Sequence, residues 1–358
     1  MGTQSKRPVA VILAVILCLS LTGCMAVSAA TVSAEPEAST AIYYMDTLPG
    51  NWSIESAQTP EKEYLRDLTT TALYRAEDGE VAPELAALPE DVTQDYHGTY
   101  GIPTDAQRGY AFRISLDEQV FWENGTAVTA DDVLFAVEKM LLSESCSQDY
   151  LWIAGAEEFT AGWERETDNV ISLEEAGFDS VTAAREAGYH RFYVDMEHFW
   201  GLEAGWGSTV NRTRVQDYAM PTGLNEMYLT SGYLYNQYLA DGMGYDHLQA
   251  EFVGISAEPE NRMTMEDVGI LKTGEHEFVV IAGEPVTASV AAARLSKLCL
   301  FAQELYNEAY GTSAETYSSY GPYRVVSAGA EEIALERNPY WQGDTGAYPA
   351  DRIVCRPR

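Results

Sequence analysis

Basic residues are scarce in this 358-residue chain, where 22 Lys and Arg face 55 Asp and Glu for a formal net charge of −33. A surface of that sign repels phosphate backbones and anionic lipid heads, so nucleic-acid binding and a polybasic membrane contact are excluded. Solubility and resistance to self-association are its plain consequences, and a monomer is expected. Histidine is rarer still, with 5 residues. His97, His247 and His276 are isolated. His190 and His198, with Asp195 and Glu197 between them, match neither a helical i, i+4 pair nor a zinc-ligand spacing.

The 5 cysteines include no CxxC pair and no Cys/His cluster, so neither a structural zinc nor a dense disulfide framework is expected. Cys146, Cys299 and Cys355 are widely separated, which leaves one bridge or three thiols open. No Gly-x-Ser-x-Gly elbow, phosphate loop or dinucleotide fingerprint occurs, so no cofactor is expected. A glycosidase needs two carboxylates about 5–10 Å apart, but with 55 acidic residues any fold supplies such pairs by chance. Long apolar runs are missing too. The longest, Val9 to Leu21, is shorter than the ~20 residues that a spanning helix needs.

That run has a purpose of its own. Lys6 and Arg7 precede it, and it closes on Leu21-Thr22-Gly23-Cys24, the order of a secretion signal. The last four residues resemble the lipobox of bacterial lipoproteins. The resemblance implies cleavage before Cys24, lipid on its thiol and attachment to the outer side of the cell membrane, where two acyl chains hold a protein far better than one. The competing expectation is an ordinary signal cut after Ala29 or Ala30. On the lipobox expectation residues 1–24 are the lipoprotein signal segment, with Cys24 at its junction, and 25–40, rich in Ala, Ser, Thr, Val, Glu and Pro, form a flexible tether.

Ordered structure is expected from Ala41. Ile42 to Met45 reads as a strand. Tyr64, Leu65, Leu68 and Ala72 recur at helical spacing, and Val81 to Ala86 reads as a short helix or turn opened by Pro83. Tyr110, Phe112, Ile114 and Leu116 alternate as a half-buried strand does, and Val120-Phe121-Trp122 follows as a second. Asn124-Gly125 turns the chain. Thr129 caps a helix whose apolar face is Val133, Ala136, Val137, Met140 and Leu141. From Ser143 to Pro259 only short helical pieces stand out, Val181 to Ala187 and Met227 to Leu239. The Tyr-rich stretch from Tyr218 to Tyr245 suits either sugar stacking or packing. Beyond it come a Lys272-Thr273-Gly274 turn, a strand from Glu277 to Ile281, a helix in which Leu298, Phe301, Ala302 and Leu305 share a face, and strands to the end.

Two blocks carry a resemblance. Val120 to Val133, reading VFWENGTAVTADDV, is similar to a stretch of the family 5 extracellular solute-binding proteins, the oligopeptide and dipeptide receptors of ABC importers. Tyr320-Gly321-Pro322-Tyr323 followed by Leu335-Glu336-Arg337-Asn338-Pro339-Tyr340-Trp341 resembles a second pair of that family's motifs. Leu73-Tyr74-Arg75 with Glu80 to Ala86 adds weaker support. The likeness covers roughly residues 41–142 and 265–358.

The resemblance implies an α/β fold, the first lobe of a class II periplasmic-binding-protein-like clamshell, with a mixed sheet, flanking helices and the second lobe missing. That lobe is expected over 41–358, with an inserted subdomain at 73–255 and a return to the lobe core at 256–358. It also implies a non-enzyme that captures peptides and hands them to the permease subunits of an importer. Ligand contacts are expected from Asn51, Trp52, Tyr320, Gly321 and Tyr323. For Trp52 and Tyr320 core packing is the alternative, and for Asn51 and Gly321 a turn role. The rival functions are a surface hydrolase of glycans or peptides and an adhesive lipoprotein.

Overall fold

A computed structural model describes residues 39–358 apart from 54, 56–57, 78–79, 168, 196–211 and 216–252. The signal peptide, Cys24, most of the tether, the 227–239 helix and the Tyr218 to Tyr245 stretch lie outside the described residues. Ala38–Arg358 forms one compact unit.

Four sheets appear among the described residues. In the first, β1 (Thr40–Met45) runs parallel to β14 (Arg352–Pro357), which pairs antiparallel with β13 (Ile333–Arg337), and that in turn with β12 (Tyr323–Ala328). The register sets Tyr43 beside Cys355 and Cys355 beside Ile333. Helix α1 (Pro60–Thr69) packs on this sheet through buried Leu65 and Leu68. Its start follows from sequence: Pro60 occupies the first turn, Glu61 and Glu63 face the positive end of the dipole, and the Thr59 hydroxyl accepts from Lys62 N at 3.4 Å. The helix ends at Thr69, one turn short of what the spacing to Ala72 suggests.

The second sheet is antiparallel, in the order β10 (Ile270–Gly274), β11 (Glu277–Ile281), β5 (Ala111–Ser115), β4 (Glu90–Asp91). The alternation of Phe112 and Ile114 is seen as read, both fully buried, with Arg113 half-exposed between them. Helix α2 (Ala130–Leu142) packs against β10, and its apolar face, Val133, Ala136, Val137, Met140 and Leu141, is buried throughout. The Asp132 carboxylate accepts from Thr129 N at 2.8 Å and from the Thr129 hydroxyl at 3.2 Å, which fixes the helix start. The fourth sheet, β6 (Val170–Ser172), β9 (Val253–Ser256), β7 (Phe192–Asp195) and β8 (Arg212–Val215), supplies the topology that the sequence between 143 and 259 does not reveal. Helix α3 (Ala156–Ala161) precedes it. Helix α4 (Val181–Glu186) sits where a helical piece is expected, with the Ser180 hydroxyl accepting from Ala183 N.

Three expectations are corrected. Val81 to Ala86 is not a helix: β3 (Glu80–Pro83) pairs with β2 (Tyr74–Glu77) as a hairpin forming the third sheet, and Pro83 stands at the strand end. Lys272 to Gly274 is not the turn but the end of β10, and the chain reverses at Glu275-His276. Leu298 to Leu305 is not an α-helix either: the α-helix of that region is α5 (Ala288–Leu295), and only Gln303–Leu305 makes a short 3-10 turn. Leu300 N donates to the Tyr320 hydroxyl at 2.9 Å and Ala302 N to the Tyr310 hydroxyl at 3.4 Å, so these amides are satisfied outside any helix. Leu298, Leu300, Phe301 and Ala302 are all buried, which no single helix face would achieve.

One cluster of buried side chains joins the first two sheets with α1, α2 and α5, from Met45 through Phe112, Trp122, Phe278 and Tyr320 to Cys355. Among the described residues no helix is long and apolar enough to cross a membrane. Replacing the cap with Thr129→Ala should lower the urea midpoint of unfolding at unchanged slope, by about 1 kcal/mol of stability. An unchanged midpoint would show that the cap is dispensable.

Candidate functional site

The block Val120 to Val133 folds into a tight turn that leads into α2. Gly125 adopts φ 84, a conformation that glycine takes without strain, and its amide donates to Trp122 O at 2.9 Å. The Asn124 carboxamide oxygen accepts from Thr126 N at 2.9 Å and from its hydroxyl at 2.7 Å. Phe121 meets Ala127 in one isolated bridge, so the expected second strand is reduced to the arm of this turn.

The block Tyr320 to Trp341 closes on that turn from the other side. Trp122, 4% exposed, meets the Tyr320 ring edge-on at 5.0 Å. Glu123 N donates to Ser319 O at 2.8 Å, and Ser319 N returns a bond of 2.9 Å to the Glu123 carboxylate. A side chain at Gly125 would collide with the Tyr340 ring at 2.8 Å. Asn338 orders the second block internally: its amide nitrogen donates to Gly321 O at 3.0 Å, and its oxygen accepts from Tyr340 N at 3.0 Å. Trp341 Nε1 then reaches Thr71 at 3.3 Å. Tyr320 N and Gly321 N both donate to Thr69 O, the last carbonyl of α1. That close approach requires glycine at 321, since a Cβ there would lie 2.5 Å from Thr70 N.

These elements wall a cavity of about 1250 Å³. Val120, Phe121, Tyr320, Tyr340 and Trp341 line one part. Arg66, Asp67 and Thr70 of the α1 end line another, and Cys146, Asp149, Tyr150, Lys297 and Cys299 a third. The walls carry both signs of charge. Arg75 pairs with Glu84, Lys297 with Asp149 at 2.6 Å, and Arg66 donates to Gln58 at 2.9 Å. Burial pushes the Asp67 carboxyl above the usual range, a trend that neighbouring Arg66 opposes. Burial does the same to Glu123, against the Ser319 bonds and Arg324.

Of the five residues expected at a ligand, Tyr320 lines this cavity and the others do not. Trp52 is 3% exposed, stands edge-on to Tyr317 at 5.7 Å, and has an indole nitrogen without a hydrogen-bond partner. Asn51 accepts from Ser53 N at 2.7 Å in a local turn. The Tyr323 hydroxyl donates to Ala350 O at 2.8 Å. Sequence reading missed Arg66, Asp67, Arg75 and Lys297, since single charged residues in so acidic a chain give no signal. Among the described residues no group of three His, Cys, Asp or Glu is placed to hold a metal. His190 stacks on Trp163 at 6.4 Å, and His198 lies outside the described residues.

No family model and no curated protein matches the chain. Solved structures similar to it include Listeria monocytogenes OppA bound to peptide, at 13% identity and TM-score 0.47, which covers 90% of this chain and 43% of that one. The substrate-binding domain of an oligopeptide ABC transporter from Bacillus anthracis is similar at 12% identity and TM-score 0.48, over 90% and 42%. Burkholderia pseudomallei OppA is similar at 11% identity and TM-score 0.47, over 90% and 43%. The chain thus spans less than half the length of each of these proteins.

Two outcomes test this geometry. Gly321→Ala should destabilise the protein by roughly 1–3 kcal/mol in urea unfolding, because the methyl meets backbone and not a flexible side chain. Glu123, whose folded pKa is raised, contributes stability that is fully present below its ordinary pKa of 4.5 and is lost as pH rises through the folded value. Glu123→Gln should therefore lose less stability than the parent protein over that pH window. A parallel pair of pH–stability curves would contradict the assignment.

Proposed function

We propose that the chain is the ligand-capturing part of a lipid-anchored, substrate-binding component of an ABC importer. It takes peptides on the outer side of the membrane and delivers them to permease subunits, working as a monomer and without a cofactor. The observation that carries this reading is the meeting of the two family-like blocks. Almost two hundred residues apart, Val120 to Val133 and Tyr320 to Trp341 interlock through Trp122, Glu123, Ser319 and Tyr320, and together they wall one cavity.

The cavity's size supports a ligand larger than a metabolite, since 1250 Å³ exceeds the roughly 300–1,000 Å³ of small-molecule sites. Its mixed charge suits a zwitterionic chain held by backbone hydrogen bonds, with water accommodating varied side chains. Tyr320 contributes directly to the ligand-facing wall. Gly321 rests beside it on the end of α1, and Asn51, Trp52 and Tyr323 stand outside it. Nothing in this mode requires a bond to break. The lipid on Cys24 keeps the receptor beside a fixed importer.

Calorimetry of the full-length protein against a defined peptide mixture, with mass analysis of the peptides afterwards, tests the reading. Saturable heat and unchanged peptide masses are expected. Cleaved peptides would favour a surface hydrolase, and absence of binding heat an adhesive role.

A further inference from the structure

Three helices end at the cavity. Thr70 and Thr71 follow the end of α1, Ser145 and Cys146 lie just beyond α2, and Ser296 and Lys297 follow α5, and all of them line the wall. A helix carries about half a negative charge at its C-terminus, so three such ends at one space make it electronegative before any side chain is counted. Each helix has a basic residue in its last turn, but of these only Arg66 of α1 lines the cavity. Lys139 of α2 pairs with Glu138 at 3.1 Å, and Arg294 of α5 lies over the Trp152 ring at 5.2 Å.

The lining side chains add to this field. Six carboxylates, Glu63, Asp67, Glu84, Asp117, Asp149 and Asp344, face three cations. Arg75 takes Glu84 and Lys297 takes Asp149, which leaves Arg66, already bonded to Gln58, against four acids. Asp117 and Asp344 each accept one backbone amide of their own turns, Gln119 N at 2.9 Å and Gly346 N at 2.8 Å. Glu63 and Asp67, one turn apart on α1, are exposed, and their carboxylates make no hydrogen bond or ion pair among the described residues. The same wall carries the rings of Phe121, Tyr340, Trp341 and Tyr348, whose faces attract cations. Helix C-termini, unmatched carboxylates and aromatic faces receive cations by different physics, and here they share one space. Building on the peptide-binding reading above, we propose that the cavity selects basic peptides, whose Lys and Arg side chains bring their charged heads to Glu63, Asp67 and these rings. A neutral peptide leaves the carboxylates unmatched, and an acidic one is repelled.

The test is calorimetry of the full chain with three pentapeptides that have free termini and differ only in carrying Lys, Gln or Glu at the second and fourth positions. The Lys peptide is expected to bind roughly tenfold tighter than the Gln peptide and the Glu peptide weakest, with added salt narrowing the gap. Glu63→Gln and Asp67→Asn should each weaken the Lys peptide about threefold and leave the Gln peptide unchanged. Glu331→Gln removes an exposed carboxylate that does not line the cavity, and it should change none of the three affinities. Equal affinity for the Lys and Gln peptides, or tighter binding of the Glu peptide, would overturn the charge selection while peptide binding itself stands. A loss from Glu331→Gln equal to that from Asp67→Asn would assign the preference to the overall charge of −33 and overturn the cavity's part in it. If none of the three peptides binds, both readings fall.

Discussion

The contact between the Trp122 to Thr126 turn and the Ser319 to Gly321 segment is the constraint on which the rest of the molecule depends. It combines an edge-to-face aromatic pair, worth about 0.5–1.5 kcal/mol beyond area burial, with a reciprocal pair of hydrogen bonds through Glu123 and Ser319. The turn opens directly into α2, and Gly321 rests on the end of α1. One small interface thus positions both long helices against their sheets. Removing one side would leave the other's buried polar groups unmet, which costs more than the bonds contribute when made.

Buried tyrosine hydroxyls extend the same principle. Those of Tyr310 and Tyr320 take the amides of residues 302 and 300, and those of Tyr74 and Tyr323 donate to the carbonyls of residues 87 and 350. Each satisfies a backbone group in a segment that belongs to no helix or sheet ladder. Irregular chain can therefore be buried beside the cavity, where residues 296–299 form part of the wall. The phenols are held protonated by burial, most strongly Tyr310 and Tyr320, so they remain able to donate or accept over the ordinary pH range.

Much of this was legible in the sequence where the signal was local. The cap at Thr129, the Asn124-Gly125 turn, the alternation through Phe112 and Ile114 and the strands of the C-terminal part follow from periodicity and turn chemistry, and each occurs where read. Local reasoning failed where distant groups decide. Leu298, Phe301, Ala302 and Leu305 have helical spacing, yet tyrosines from residues 310 and 320 claim two of the amides there. Pro83 suggested a helix opening, but pairing with Tyr74 made it a strand end. The cavity was the least visible part, because its charged wall residues are single positions whose meaning comes only from the fold. The aromatic residues of the two blocks were found by likeness; Tyr323 among them, and Trp52 outside them, are both buried.

On the proposed function the wall formed by these two blocks is a working surface, and its shape depends on the clasp at Trp122 and Tyr320 being an energetic coupling and not mere proximity. A double-mutant cycle measures this directly, comparing Trp122→Leu, Tyr320→Leu and the double variant by urea unfolding. A coupling energy of about 0.5–1.5 kcal/mol is predicted. Simple additivity of the two single effects would contradict the account.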